Sequence, residues 1–370
     1  MNSRTISQLV SVFLVVILAG CARAPQLIGI VNPEVSIDSV EELTKHRMFL
    51  MSTRGASDVS GAFYSSERAP ELGLASVDAT VPPTHVTGVL ERPKRLPPDP
   101  RTEFTVVNPT VYGNEAAFIA EINRELSKRP PGKREILIFI HGFNNTTSDA
   151  TLRLAQFVED TGFSGVPVLF TWASAAKGSE YVYDLNSALI ARSQIGNIAA
   201  ILNKTRAESA DIFAHSMGTF LTMEGLVKQQ SSGRLGKGTT IDNIILASPD
   251  IDLNLFETQL AELPPSVIKK IYLLISKDDF ALRFSRLIAG GVQRVGAADT
   301  AELERLGVTV IDLSSIEDSS SGSHSKFAGS PEVVQLIGAG MNSSRRFGKT
   351  GSSTTFEELL ANTSITVVRN

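Results

Sequence analysis

The sequence predicts an α/β fold: a mostly parallel sheet with helices on both faces and extra β-hairpin material near the N-terminus. Three observations predict it. Short apolar runs bounded by breakers, such as Ile136-Leu-Ile-Phe-Ile140, read as strands buried on both faces. Other segments carry apolar residues at helical spacing, as at Phe118, Ile119 and Ile122. The two patterns alternate, and alternation implies crossover connections between parallel strands.

Composition agrees and narrows the class. The chain has 370 residues, 42% hydrophobic and 20% charged, too apolar for a disordered protein. At about 150 residues per domain the length suggests two domains, but single α/β units run longer than that. Lysine and arginine total 35 against 39 acids, so no basic footprint for nucleic acid exists. One cysteine excludes an intrachain disulfide framework and a Cys-based zinc site.

Residues 1–20 read as an address. Arg4 is the only charge before an apolar run from Leu9 to Leu18, the length of a signal-peptide core and too short to span a bilayer comfortably. The run ends in Leu18-Ala19-Gly20-Cys21, which resembles the bacterial lipobox. That resemblance implies cleavage before Cys21, lipid attachment there and membrane anchoring in the cell envelope. Ala22, where aspartate would redirect sorting, implies the outer membrane.

Residues 21–45 are expected to be a tether, 46–340 one folded domain and 341–370 a low-complexity tail. Arg47–Ser52 is the first expected strand. The Gly-, Ser- and Pro-rich stretch from Thr53 to Pro100 reads as hairpin material, and Phe104–Val107 as a short strand. The regular part alternates helix Glu115–Lys128, strand Ile136–Ile140, helix Ser148–Asp160 and strand Val166–Trp172. Helix Ser187–Lys204, strand Ala210–Ala214 and helix Thr219–Gln229 continue it. Strands Ile241–Ala247, Ile271–Ser276 and Val308–Leu313 follow, and Ser364–Val368 is a candidate edge strand in the tail.

The strongest chemical signal is Ala214-His215-Ser216-Met217-Gly218, between an expected strand and an expected helix. A nucleophile elbow needs small residues two before and two after its serine, because strand and helix backbones converge there. Ala214 replaces the usual first glycine and is still small. Ser216 is the candidate nucleophile, and the Met217 N–H is one candidate oxyanion donor. Upstream, His141-Gly142-Phe143-Asn144 ends the buried strand where a second donor belongs, the Phe143 N–H. Gly142 would allow the tight turn and His141 would order it.

A serine hydroxyl needs a base, and the base needs an orienting carboxylate. After Ser216 the chain has one histidine, His324, in a Gly/Ser loop beyond the final regular strand. The acid candidates are Asp279, then Asp278, then Asp250. His46 and His85 read as surface or loop residues. No H-E-x-x-H, EF-hand or phosphate-cradling motif appears, so no metal and no nucleotide cofactor is expected.

As a set, these residues resemble a bacterial branch of the α/β-hydrolase superfamily, esterase/lipase-like and largely of unknown function. The matching stretches include Val81-Pro-Pro-Thr-His85, His141–Asn145, Ala155-Gln156, Pro167–Trp172, Tyr183-Asp184, Ala214–Gly218, Ser248–Asp250 and Asp279 with Ala281-Leu282. Ala173 stands where the family usually has proline after the tryptophan. The resemblance implies the α/β-hydrolase fold and a Ser-His-Asp triad acting on an ester-containing small molecule or lipid. Acyl transfer, thioester or amide cleavage would use the same machinery, and a non-catalytic envelope lipoprotein could use the fold as a binding module. Trp172, Tyr181 and Tyr183 are candidates for a pocket lining or for core packing.

Overall fold

The computed structural model describes residues 24–316 and 324–342 and the backbone of 366–368. The expected leader at 1–20, its attachment residue Cys21 and most of the 341–370 tail lie outside the described residues.

The chain opens with β1 (Thr44–Ala56), β2 (Tyr64–Val81) and β3 (Thr105–Val111). Next come α1 (Glu115–Ser127), β4 (Glu135–Ile140), α2 (Thr147–Thr161) and β5 (Val166–Thr171). After α3 (Tyr181–Ala191) and α4 (Ile195–Leu202), β6 (Ser209–His215) runs into α5 (Met217–Ser231) and β7 (Ile241–Ala247). The order continues with α6 (Leu253–Ala261), α7 (Pro265–Ile268), β8 (Ile271–Ile275) and α8 (Phe280–Ile288). Last are α9 (Thr300–Glu304), β9 (Thr309–Asp312), α10 (Lys326–Gly329), α11 (Pro331–Asn342) and β10 (Thr366–Val368).

One sheet holds all ten strands in the order β10-β9-β8-β7-β6-β4-β5-β1-β2-β3. Pairing is parallel from β1 through β5, β4, β6, β7 and β8 to β9. It is antiparallel in the β1–β2–β3 meander and between β9 and β10. The expected mostly parallel sheet with an N-terminal hairpin extension is therefore present. β4 and β6 lie side by side, with Ile140 opposite Ala214. Their carboxyl ends thus deliver His141-Gly142 and His215-Ser216 to one place.

Alternation along β4 builds both layers of the core. Ile136, Ile138 and Ile140 pack with Phe118 and Ile122 of α1, Ile198 of α4 and Leu221 of α5. Leu137 and Phe139 face the opposite layer, with Leu152 and Phe157 of α2, Phe327 of α10 and Leu336 of α11. Local chemistry sets the helix ends. Thr146 and Asp149 form a reciprocal capping box at the start of α2, and Gly162 ends it in the left-handed region at φ 60°.

Several boundaries differ from expectation. The single helix over 187–204 is two helices joined by a 3-10 turn at Arg192–Gln194. The apolar spacing Ala188, Ala191, Ile195, Ile198 runs straight through this turn, and Arg192 pairs there with Glu224 of α5. Packing starts before residue 46, since Leu27 and Ile28 are buried and Ile28 bridges to Gly61 and Val106. At the other end, α11 buries Val333, Val334, Leu336 and Ile337, and β10 returns to the sheet edge. On the opposite edge, β3 carries Pro109 and the positive-φ residue Asn108 (φ 52°).

His85 lies in a loop, one of its two expected settings, and is there a partly buried ion-pair centre. Its Nδ1 lies 2.7 Å from Glu91 Oε2 and its Nε2 2.8 Å from Asp160 Oδ1. Burial pulls its pKa down, but hydrogen bonds to Asp160 and Glu91 outweigh burial and raise it to about 9. An unfolded imidazole titrates near about 6.5, so the folded chain holds an extra proton between those values. This stabilisation is whole below the unfolded value and is lost as pH rises through about 9, on the order of 2–3 kcal/mol. Denaturant unfolding should therefore show lower stability at about pH 10 than at about pH 7, and His85→Gln should flatten that slope.

Candidate active site

Ser216 caps α5 with φ 54° and ψ −124°, a backbone conformation that non-glycine residues rarely adopt. Such strain costs about 1–3 kcal/mol and persists only where the surroundings enforce it. The enforcement is close packing. A Cβ on Gly142 would sit 2.8 Å from Ser216 Cβ, and one on Gly218 would sit 2.5 Å from the His141 carbonyl oxygen. The Ser216 N–H donates to Ala247 O at 2.9 Å, and the Ser216 carbonyl accepts from the Thr219 N–H and hydroxyl. Ala214, fully buried in β6, fits where glycine is usual.

Ser216 Oγ has no hydrogen-bond partner among the described residues, and neither do the N–H groups of Phe143 and Met217. Met217 opens α5, where the first amides have no partner within the helix and its positive dipole end gathers.

His324 and Asp279 meet across 45 residues of sequence: Nδ1–H donates to Asp279 Oδ2 at 2.8 Å. Asp279 Oδ1 simultaneously caps α8 through the Leu282 N–H at 3.0 Å, so one buried carboxylate serves both partners. The rival acids are engaged elsewhere. Asp278 takes Lys326 Nζ at 3.0 Å on both oxygens, and Asp250 accepts from Tyr181 Oη at 2.8 Å and Ser285 Oγ at 2.6 Å. The backbone of His324 is also held, because His215 Nε2–H and Ser248 Oγ–H both donate to its carbonyl, at 3.0 and 3.1 Å. Burial, then the proximity of His324, drives the His215 pKa well below the usual value. His215 is thus a neutral donor inside the elbow, a role its place in the motif did not disclose.

The loop after β4 rests on a buried cation. Arg54, at the end of β1, donates through Nε to Thr171 Oγ1 at 2.9 Å and through Nη2 to Asn145 O at 2.7 Å. Its Nη1 reaches Ser174 O at 3.0 Å. Asp184 completes the loop support by accepting from Ser174 Oγ at 2.5 Å, Ala175 N–H at 2.6 Å and Asn144 N–H at 3.2 Å. His141 Nδ1–H donates to Gly142 O at 2.9 Å, while Nε2 accepts the Trp172 N–H at 3.2 Å. Burial, then the Arg54 charge, pushes the His141 pKa down to about 3, leaving a neutral imidazole with a fixed tautomer. Arg54 escaped sequence reading because a lone arginine at a strand end has no pattern. Asp184 stood in a matched motif without an evident role.

Ser216, His324, Phe143, Tyr181 and Phe284 line one cavity of about 360 Å3. Of the three aromatic candidates, only Tyr181 reaches it. Trp172 is buried, stacked on His141 with ring centres 5.1 Å apart, and its Nε1–H donates to His141 O. Tyr183 turns away, donating to Ser66 O and packing beneath Arg68.

Comparison with solved structures finds matches at low identity and low TM-score. Fungal esterases from Rhizomucor miehei are 12% identical, covering 82% of this chain and 84% of theirs, with a TM-score of 0.35. Aspergillus fumigatus lipase B is 13% identical over 62% of this chain and 57% of its own, with a TM-score of 0.38. An esterase from Pyrobaculum calidifontis is 11% identical over 62% and 93%, with a TM-score of 0.34. A search of curated proteins finds no match in sequence. A family model described as alpha/beta hydrolase of unknown function (DUF900) matches residues 114–340, from the cap of α1 into α11. With the sheet order and the elbow already in hand, that match identifies the chain as a member of this α/β-hydrolase family, with the α/β-hydrolase fold.

Proposed function

We propose that the protein is a serine hydrolase that cleaves carboxylic esters and is anchored to the bacterial envelope through Cys21. The observation that carries the chemistry is the 2.8 Å His324–Asp279 hydrogen bond, with His324 and Ser216 on one cavity wall. Ser216 Oγ attacks the ester carbonyl while His324 Nε2 takes its proton. Asp279 keeps Nδ1 protonated, so that Nε2 is the free base, and it stabilises the imidazolium that forms. The developing oxyanion accepts hydrogen bonds from Phe143 and Met217, whose N–H groups have no competing partner among the described residues. His324 then protonates the leaving alcohol, and water resolves the acyl-enzyme by the same steps in reverse. No cofactor enters the scheme.

On p-nitrophenyl acetate, Ser216→Ala is expected to reduce kcat at least about a thousandfold and to abolish fluorophosphonate labelling. Undiminished turnover in correctly folded protein would sink the assignment. Asp279→Asn should lose a comparable factor through the wrong histidine tautomer, whereas Asp278→Asn should retain activity within about tenfold. Unchanged kcat in Asp279→Asn would return the acid to Asp250.

The anchor has its own readout. Cys21→Ser should yield unprocessed or soluble protein on fractionation of the producing cells. Unaltered membrane recovery and an unaltered mature mass would rule the lipobox out.

A further inference from the structure

Helix α8 is amphipathic in the inverted sense. Of its nine residues only Leu282 and Ser285 are buried, and Ser285 is occupied by Asp250. Its large apolar residues face outward: Phe280 is 65% exposed, Phe284 57%, Leu287 76% and Ile288 45%. At 3.6 residues per turn these four occupy an arc of about 100° on the side opposite Leu282 and Ser285. An arc of that kind, exposed to water, marks a contact surface.

Two further features identify the occupant. The helix carries Arg283 and Arg286, both exposed, and no acid. Arg283 lies over the Phe280 ring at 5.4 Å. Arg283 at the flank of a narrow aromatic and aliphatic face, with Arg286 further round the helix, complements an interface with anionic headgroups above and acyl chains below. The face also adjoins the site. Phe284 lines the Ser216 cavity together with Ala281, Leu282 and Ser285, and Asp279, which holds His324, is the cap of this helix. Tyr181, which also lines the cavity, opens α3 beside the exposed Val182.

We propose that α8 is a lipid-contacting face, seated on an anionic bilayer surface, through which the cavity receives esters directly from the lipid layer. The identity of the substrate, an acyl ester of a membrane lipid, rests on the serine-hydrolase reading; the contact itself does not.

The contact is read locally, so an N-terminal anchor does not confound it. Trp172 is the only native tryptophan and is buried, which leaves a quiet background for Leu287→Trp in the full chain. With vesicles of phosphatidylcholine and phosphatidylglycerol, emission of that variant should move to the blue and be quenched by brominated lipid. Arg283→Gln/Arg286→Gln on the same background should weaken the shift. In parallel, Leu287→Gln/Ile288→Gln should lower hydrolysis of p-nitrophenyl palmitate carried in those vesicles by about tenfold. Turnover of p-nitrophenyl acetate in free solution should stay within about twofold.

An unshifted emission with vesicles overturns the proposal, even if acetate is still hydrolysed. Emission already blue before lipid is added also overturns it, since a second copy or another segment of this chain then covers α8. A lipid-dependent shift without hydrolysis of either ester supports the contact and removes the serine-hydrolase reading instead.

Discussion

The backbone of Ser216 is the constraint on which the site depends. A serine held at φ 54° does not rest there by preference, so the neighbouring chain must leave it no cheaper alternative. That requirement reaches back to the sheet. β4 and β6 must be adjacent and parallel for Gly142 to meet Ser216, and Gly218 must lack a side chain for α5 to start against the His141 carbonyl. The crossover topology, the two glycines and the small residue at 214 are therefore one solution to one steric problem.

Around this point the protein uses buried polar groups where a simple core would use hydrocarbon. Arg54 is almost wholly shielded, yet it spreads its donors over β5, the loop after β4 and the segment after β5. A buried charge with several partners is costly to disturb, because each orphaned carbonyl adds its own desolvation penalty. The same economy of positions governs the two histidines flanking the nucleophile. His141 and His215 are both kept neutral by burial and both act through fixed N–H groups. Only His324 combines partial exposure, a carboxylate on Nδ1 and a place on the cavity wall.

Much of this was legible before any coordinates. Continuous apolar runs located the central strands to within a residue or two, because a strand covered on both faces has no polar position to blur its ends. Order along the chain pointed to Ser216 and His324 as candidates and put Asp279 first among the acids; in the structure Asp279 both caps α8 and bonds His324. What stayed hidden was long-range and polar. No local pattern says that Arg54 will reach Asn145, that Asp184 will gather three donors, or that His85 will bridge two acids. The break at Arg192–Gln194 was missed for the opposite reason: helical spacing continues through it in the sequence although the hydrogen-bond ladder tightens.

The two margins of the sheet carry a consequence for assembly. At one, the described part of β10 pairs three residues with β9; at the other, Pro109 removes an amide from β3 and Asn108 stands at positive φ. Among the described residues, a neighbouring chain that tried to extend the ladder would find a rail three residues long on one side and an interrupted one on the other. Strand-by-strand growth into fibrils is thereby disfavoured at both ends of a ten-stranded sheet.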